Sequence, residues 1–268
     1  MRSNWIAAGF ALALLPSVAH AKADPFKPGV QDQIKIGRQV SDQLHAKLKM
    51  VPETDERLRL IRQIAKNLLK TIPQDELTKN PWAFSFDVVD DKDINAFALP
   101  GGPVFFFRGL LNKLSTEDQI AGVLAHEVTH IRKQHWASAY ADNQKRQLGI
   151  MALLLILRAN RNVFDLASIT DELVFSLPYS RKHESEADAV GFDMMVRAGY
   201  NPAGMTDVFK ILMAAPGGKT SEEWASDHPN TAKRIKAIEE LTRKINIQFP
   251  AQRPLPPSWF LKNIKPRV

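Results

Sequence analysis

The chain has 268 residues, 36 Lys plus Arg against 29 Asp plus Glu, a formal charge of +7 and no cysteine. Disulfides, thiolate metal sites, iron–sulfur centres and a thiol nucleophile are therefore excluded. With 44% hydrophobic and 24% charged residues, the composition is that of a globular protein rather than a disordered or fibrous one. The charge is uneven along the chain: residues 1–21 carry only Arg2, residues 22–240 carry 29 basic and 29 acidic groups, and residues 241–268 carry six basic and no acidic ones. A basic end on a neutral body lends no support to a nucleic-acid partner.

Arg2, an apolar stretch from Trp5 to Leu15, Pro16, and then Ala19, His20 and Ala21 read as an export signal. Cleavage is expected after Ala21, or after Ala23 where the small-x-small pattern repeats. The apolar stretch is shorter than the roughly 20 residues a membrane span needs, and no Cys follows it to carry a lipid anchor. Residues 31–49 and 55–70 are predicted amphipathic helices, the second with Leu58, Ile61, Ile64, Ala65 and Leu68 at helical spacing. Residues 84–89, 95–99 and 104–107 are predicted short strands of one small sheet, with a tight turn at Pro100, Gly101, Gly102 and Pro103. Ser115 followed three residues later by Asp118 predicts a capping-box start for a helix that continues to about Gln134. Residues 148–157 are almost wholly apolar and predict a buried core helix. Residues 184–198 and 229–244 predict two more helices, the first ended by Gly199 with Pro202 beyond it. Pro250, Pro254, Pro256 and Pro257 then oppose regular structure. The expected organisation is a signal over 1–21, a body over 22–245 and a basic, proline-rich tail over 246–268.

The helix from residue 116 carries His126, Glu127, Val128, Thr129 and His130. Two histidines four apart share a helical face with Cβ atoms about 6 Å apart. Both imidazoles can reach one cation, and the Glu beside them is turned toward a metal-bound water. Chance would produce this pattern on the order of once in a hundred such chains. Zinc accepts imidazole and carboxylate ligands and, in catalytic sites, keeps one position for water, so a third protein ligand is needed. Glu184, Glu186 and Asp188 are the candidates. Glu184 and Asp188 are four apart and share a face, whereas Glu186 points elsewhere. If Glu184 binds the metal, Asp188 is placed to accept the outer N–H of a ligating histidine. Gly191 and Ala187 leave room for the two helices to approach closely.

These residues, with Ala187 and Gly191, resemble the zinc metallopeptidases of the HtpX and CAAX prenyl protease family, metallopeptidase family 48. The likeness extends to Asn95, Ala96, Phe97, Ala98, Leu99, Pro100, Gly101 and Gly102 ahead of the zinc helix, and to His228, Pro229 and Arg234 late in the chain, so that it covers roughly residues 30–240. It is strongest toward exported, soluble members related to the BepA-type proteases of the Gram-negative periplasm, without their tetratricopeptide repeats, for which the chain is too short. The resemblance implies an α+β, mainly helical, gluzincin-like domain with a small β-sheet beside the zinc-binding helix. It implies one Zn²⁺ held by His126, His130 and Glu184, with Glu127 as general base and Asp188 supporting a ligand. It also implies a substrate-binding strand edge at Asn95, Ala96 and Phe97.

His228 and Arg234 are implied to stabilise the oxyanion of the tetrahedral intermediate. His228 has a second role open to it, that of a fourth zinc ligand which holds the site shut. His45, His135 and His183 are assigned no metal role, His135 because five residues past His130 it falls off the ligand face. Phe105, Phe106 and Phe107 line substrate pockets or pack in the core. The expected activity is a zinc-dependent endopeptidase acting on unfolded or misassembled cell-envelope polypeptides in the periplasm. The competing expectation is a chaperone-like envelope factor with little proteolysis. The basic tail is expected either to lie along the body or to dock on an anionic membrane surface or the outer-membrane protein assembly machinery.

Overall fold

A computed structural model describes residues 24–156, 179–214, 228, 231–245, 247–257 and 259. The expected export signal and the last residues of the basic tail fall outside that set. Its elements, in chain order, are α1 (Val30–Lys47), α2 (Glu56–Leu69), α3 (Gln74–Lys79), β1 (Ser85–Val89), β2 (Ala96–Ala98), β3 (Pro103–Phe107), α4 (Arg108–Leu111), α5 (Glu117–Arg132), α6 (His135–Ile156), α7 (Arg181–Arg197), α8 (Ala203–Ala214) and α9 (Thr231–Lys244). The fold is α+β and mainly helical, with one small sheet, as the sequence predicts.

The sheet has the order β1-β3-β2, with β1 parallel and β2 antiparallel to β3. Central β3 is covered on both faces, which accounts for its unbroken apolar run. Val104 and Phe106 enter the main core, while Phe105 faces a smaller cluster with Val40, Val89 and Leu99. Phe105 and Phe106 are therefore packing residues, not pocket walls. The turn into β3 needs glycine at Gly101, where φ is +82° and a Cβ would lie 2.4 Å from Cα of Ile34.

Helix α2 buries Leu58, Ile61, Ile64, Ala65 and Leu68, the five positions at helical spacing, against α5 and β1. Helix α5 is the centre of the molecule. Every residue from Asp118 to Ile131 is buried, so it is enclosed on all sides. Its main partners are α7 and α8. Gly191 of α7 lies against the Ala125 backbone, and Gly122 of α5 against that of Met205. A Cβ added to either would sit 3.1 Å and 2.8 Å, respectively, from those main-chain atoms. The close approach expected from Gly191 is thus present, with Gly122 making the equivalent contact on the other side.

The start of α5 differs from expectation. The cap is Thr116, whose hydroxyl accepts from the Gln119 N–H at 3.2 Å, while the Gln119 side chain accepts from the Thr116 N–H, also at 3.2 Å. Asp118 is buried and used otherwise: its two carboxylate oxygens accept the backbone N–H groups of Asn201 at 2.6 Å and Arg253 at 2.7 Å. Gln at the third helical position closes the capping box with a neutral amide, which frees the Asp for that longer-range clamp. Helix α7 begins earlier than predicted because Ser180 caps it, accepting from the His183 N–H at 3.2 Å. Helix α6 is longer than the predicted 148–157 segment. Leu148 is 52% exposed, so the apolar run does not begin as a buried face, and the side chains after it lie outside the described residues.

Part of the predicted tail belongs to the body. The Leu255 N–H donates to the Ser115 carbonyl at 2.9 Å, the Glu117 N–H donates to that of Arg253 at 2.8 Å, and the Arg253 guanidinium stacks over Tyr200. Trp259 is 2% exposed, and its indole N–H donates to the Leu111 carbonyl at 3.3 Å. Residues 252–257 and Trp259 thus strap the start of α5 to the core. Arg253 and Trp259 make intramolecular contacts with the body. Among the described residues no helix is long and apolar enough to cross a membrane. Trp259→Ala is expected to cost about 3–5 kcal/mol, the usual loss for truncating a buried Trp. Urea unfolding measures this, and a change below about 1 kcal/mol would show that the strap is incidental.

Candidate metal centre

Helix α5 brings His126, Glu127 and His130 to the middle of the fold, α7 brings Glu184 and Asp188, and α9 brings Arg234, with His228 shortly before it. All seven side chains are buried. One ligand atom each from His126, His130, Glu184 and His228 lies within 4.8 Å of all the others. Nε2 of His126 is 3.0 Å from Nε2 of His130 and 3.3 Å from Nδ1 of His228. One Glu184 oxygen is 3.1 Å from that Nδ1 and the other is 3.4 Å from Nε2 of His130. Four donors held at about 2.0–2.1 Å around one zinc in a tetrahedron stand roughly 3.4 Å apart. Four donors that all lie within 4.8 Å of one another, several of them at 3.0–3.4 Å, could surround a single small cation.

Two further observations fit a cation. Oε1 of Glu184 is buried and accepts no hydrogen bond among the described residues, an expensive arrangement unless another electrophile is to be met there. In formal charge, the cluster holds three buried carboxylates, Glu127, Glu184 and Asp188, against one guanidinium, Arg234. Two negative charges remain for the imidazoles to balance, and one divalent ion balances them. The same excess acts on the titrating groups. Burial and Arg234 oppose protonation of His126, but hydrogen bonds to Asp188 and Glu184 outweigh them and push it up to about 9. Burial likewise opposes ionisation of Glu184, and His228 and His126 overcome it, holding the carboxyl far below its ordinary range. Burial raises Glu127 and, with the charge of His126, pulls His130 well down.

Asp188 accepts from Nδ1 of His126 at 3.1 Å, the outer-nitrogen contact that four-residue spacing on α7 predicts. Arg234 is placed behind the cluster. It forks onto both Asp188 oxygens at 2.7 Å, reaches Glu184 at 2.7 Å through Nη1, and lies over the Phe209 ring at 4.3 Å. Those contacts commit its guanidinium to the two carboxylates. His228 faces two ways: Nδ1 stands among the donors, and Nε2 is 3.7 Å from Oε1 of Glu127.

The strand edge adjoins this cluster. The Leu99 N–H donates to the Pro103 carbonyl, and the Phe107 N–H to that of Asn95, so alternate residues of β2 pair with β3. Ala96 and Ala98, between them, turn their main-chain groups to the opposite edge. There the Ala98 N–H meets the Glu127 carboxylate. Phe97 stacks on Phe105, ring centroids 5.4 Å apart.

Two neighbours of His130 escaped the sequence reading. Tyr179 stacks on it, centroids 4.0 Å apart at 23°, and Nδ1 of His135 lies 2.9 Å from its Nδ1. His135 is not off the site. Helix α5 ends at Arg132, and Gln134, at φ +56°, turns the chain so that His135 folds back over His130. The signal that would have found it was the possibility of a helix break, which no Gly or Pro announces.

The profile of "Peptidase family M48" matches residues 58–242. The mitochondrial metalloendopeptidase OMA1 of Schizosaccharomyces pombe is 31% identical over 198 residues, covering 72% of this chain and 55% of its own. The metalloendopeptidase OMA1 of Danio rerio is 30% identical over 207 residues, 72% of this chain and 42% of its own. The β-barrel assembly-enhancing protease of Escherichia coli is 29% identical over 161 residues, 57% of this chain and 33% of its own. The matched region is thus little more than half the length of the longest-covered of these relatives, and less of the others. Because the matched profile takes in the buried histidines, the carboxylates of α7 and Arg234, and runs from α2 through most of α9, the chain belongs to peptidase family M48.

Proposed function

We propose that this protein is a zinc-dependent endopeptidase that hydrolyses peptide bonds in unfolded or misassembled cell-envelope polypeptides after export to the periplasm. The observation that carries the chemistry is the donor set of His126, His130, Glu184 and His228 with Glu127 beside it. A zinc ion held there supplies Lewis acidity toward the scissile carbonyl and the attacking water. Glu127 takes the water's proton and passes it to the leaving amine, and burial, by raising its pKa, suits it to both transfers. Asp188 holds His126 in the tautomer that leaves Nε2 for the metal. The outer edge of β2 binds an extended substrate through main-chain hydrogen bonds, beside Glu127 and with little demand on side-chain identity. That tolerance suits unfolded chains, and the E. coli relative's name supports the envelope setting.

His228 is read as the fourth donor of a closed resting arrangement, because its Nδ1 stands among the other three donors. Three protein ligands with an open position make a catalytic site, whereas four close it. Arg234 acts as a positioning residue, since Asp188 and Glu184 take up its guanidinium.

Cleavage of casein or an unfolded outer-membrane protein tests the activity. Glu127→Ala is expected to lower it at least a hundredfold, about the contribution of general-base catalysis, at unchanged zinc content. Equal activity in the two proteins, or none in either with binding of unfolded chains retained, points to the chaperone-like factor instead. Zinc analysis of purified variants tests the ligand set: Glu184→Gln should lose far more metal than Glu186→Gln, and the reverse order overturns the assignment. Arg234→Met leaves Asp188 and Glu184 without their cation and is expected to lower stability by about 3–5 kcal/mol. If urea unfolding shows full stability while turnover is lost, Arg234 serves the oxyanion rather than the site's framework.

A further inference from the structure

His130 has a buried partner that no other part of the proposed mechanism uses. Its Nδ1 is 2.9 Å from Nδ1 of His135, which is itself buried, and Nε2 of His135 lies 3.5 Å from Oε2 of Glu186. The His130 and His135 rings are nearly perpendicular, at 78°. Each is pinned by a flat neighbour. Tyr179 lies over His130, and His183 lies over His135 with centroids 4.5 Å apart at 13°. Neither imidazole can rotate without displacing its stacking partner.

Two ring nitrogens at 2.9 Å share one proton. If His130 binds a metal through Nε2, its own proton sits on Nδ1 and must be accepted, since a buried donor left unpaired costs about 1–3 kcal/mol. His135 Nδ1 is then the acceptor, and its remaining proton sits on Nε2, on the Glu186 side. We propose that His135 is the positioning residue for His130: its Nδ1 fixes the tautomer and ring angle of His130 from one side of the centre, as Asp188 does for His126 from the other, while its Nε2 stands 3.5 Å from Glu186 and makes no hydrogen bond among the described residues. The two supports differ in kind. Asp188 is a buried carboxylate shared with Arg234, whereas His135 places a neutral ring between ligand and carboxylate, with Glu186 39% exposed and also 3.5 Å from Lys133 Nζ. His183 and Tyr179 act through this arrangement as walls.

The inference rests on the reading of His130 as a metal ligand, and the experiment separates the two. Zinc affinity of the full chain is measured by competition with a chromophoric chelator. His135→Phe fills the volume and keeps a flat ring for His183 but accepts no proton, and it is expected to bind zinc 10–100-fold more weakly, the usual effect of removing an outer partner of a ligating histidine. His135→Asn puts an acceptor oxygen near the Nδ1 position and is expected to recover most of that loss. Parental affinity in His135→Phe overturns the proposal, as does an Asn variant no better than Phe. Should His135→Phe fail to fold, ¹⁵N-histidine spectra of the zinc-loaded parent decide without a variant: His135 protonated at Nε2 and bare at Nδ1 is expected, and a proton on its Nδ1 overturns the proposal. His130→Ala is the separating control. If it loses zinc while His135→Phe does not, only the positioning role falls; if it keeps parental affinity, the metal-ligand reading falls with it.

Discussion

Three carboxylates, three imidazoles and one guanidinium, all buried in the middle of the fold, set the terms for the rest of the molecule. Burying charge is costly unless each group is paired and hydrogen-bonded. Here the pairing is nearly complete within the protein: Arg234 holds Asp188 and Glu184, Asp188 holds His126, and His135 stands against His130. What is left over is negative charge and a Glu184 oxygen that accepts no hydrogen bond among the described residues, beside the point where the imidazole nitrogens converge. A divalent ion satisfies both.

That requirement explains the packing around α5. Donors on α5 and α7 can converge only if the helix backbones nearly touch, so glycine is required where they cross. Gly191 meets the backbone one residue before His126, and Gly122 lets α8 in on the opposite side. The far end of α5 is held by the Asp118 clamp and the strap that ends in Trp259. These contacts lie one or more helical turns from His126 and His130, yet they determine where α5 sits and hence where two of the four donors stand.

The sheet adds the second half of the site. Because β2 is an edge strand, Ala96 and Ala98 turn their main-chain groups away from β3. One of these, the Ala98 N–H, is taken by Glu127, so the group proposed as general base is itself held at the strand edge. On the proposed function, substrate main chain and attacking water meet at one place for a geometric reason: Glu127 is tied to the strand on which the substrate is proposed to add.

Much of this was legible in the residues alone. The spacing of Leu58, Ile61, Ile64, Ala65 and Leu68 predicted the buried face of α2, His126 and His130 implied a shared face, and Glu184 with Asp188 implied one near and one outer carboxylate. All of these are local periodicities, and the backbone's own geometry turns them into positions. What depended on tertiary structure was everything set by a chain reversal or a distant partner. His135 lies beside His130 because Gln134 adopts a left-handed conformation, whereas a helix continued in register would have carried it away. Asp118 serves Asn201 and Arg253 rather than its own helix, and the proline-rich segment packs as a strap because Leu255 and Trp259 find buried places that composition cannot reveal. The sequence by itself determined the donor types and their spacing within each helix. The tertiary structure decided which donors meet, because the convergence of side chains from four segments depends on helix crossings and turns that no short-range pattern encodes.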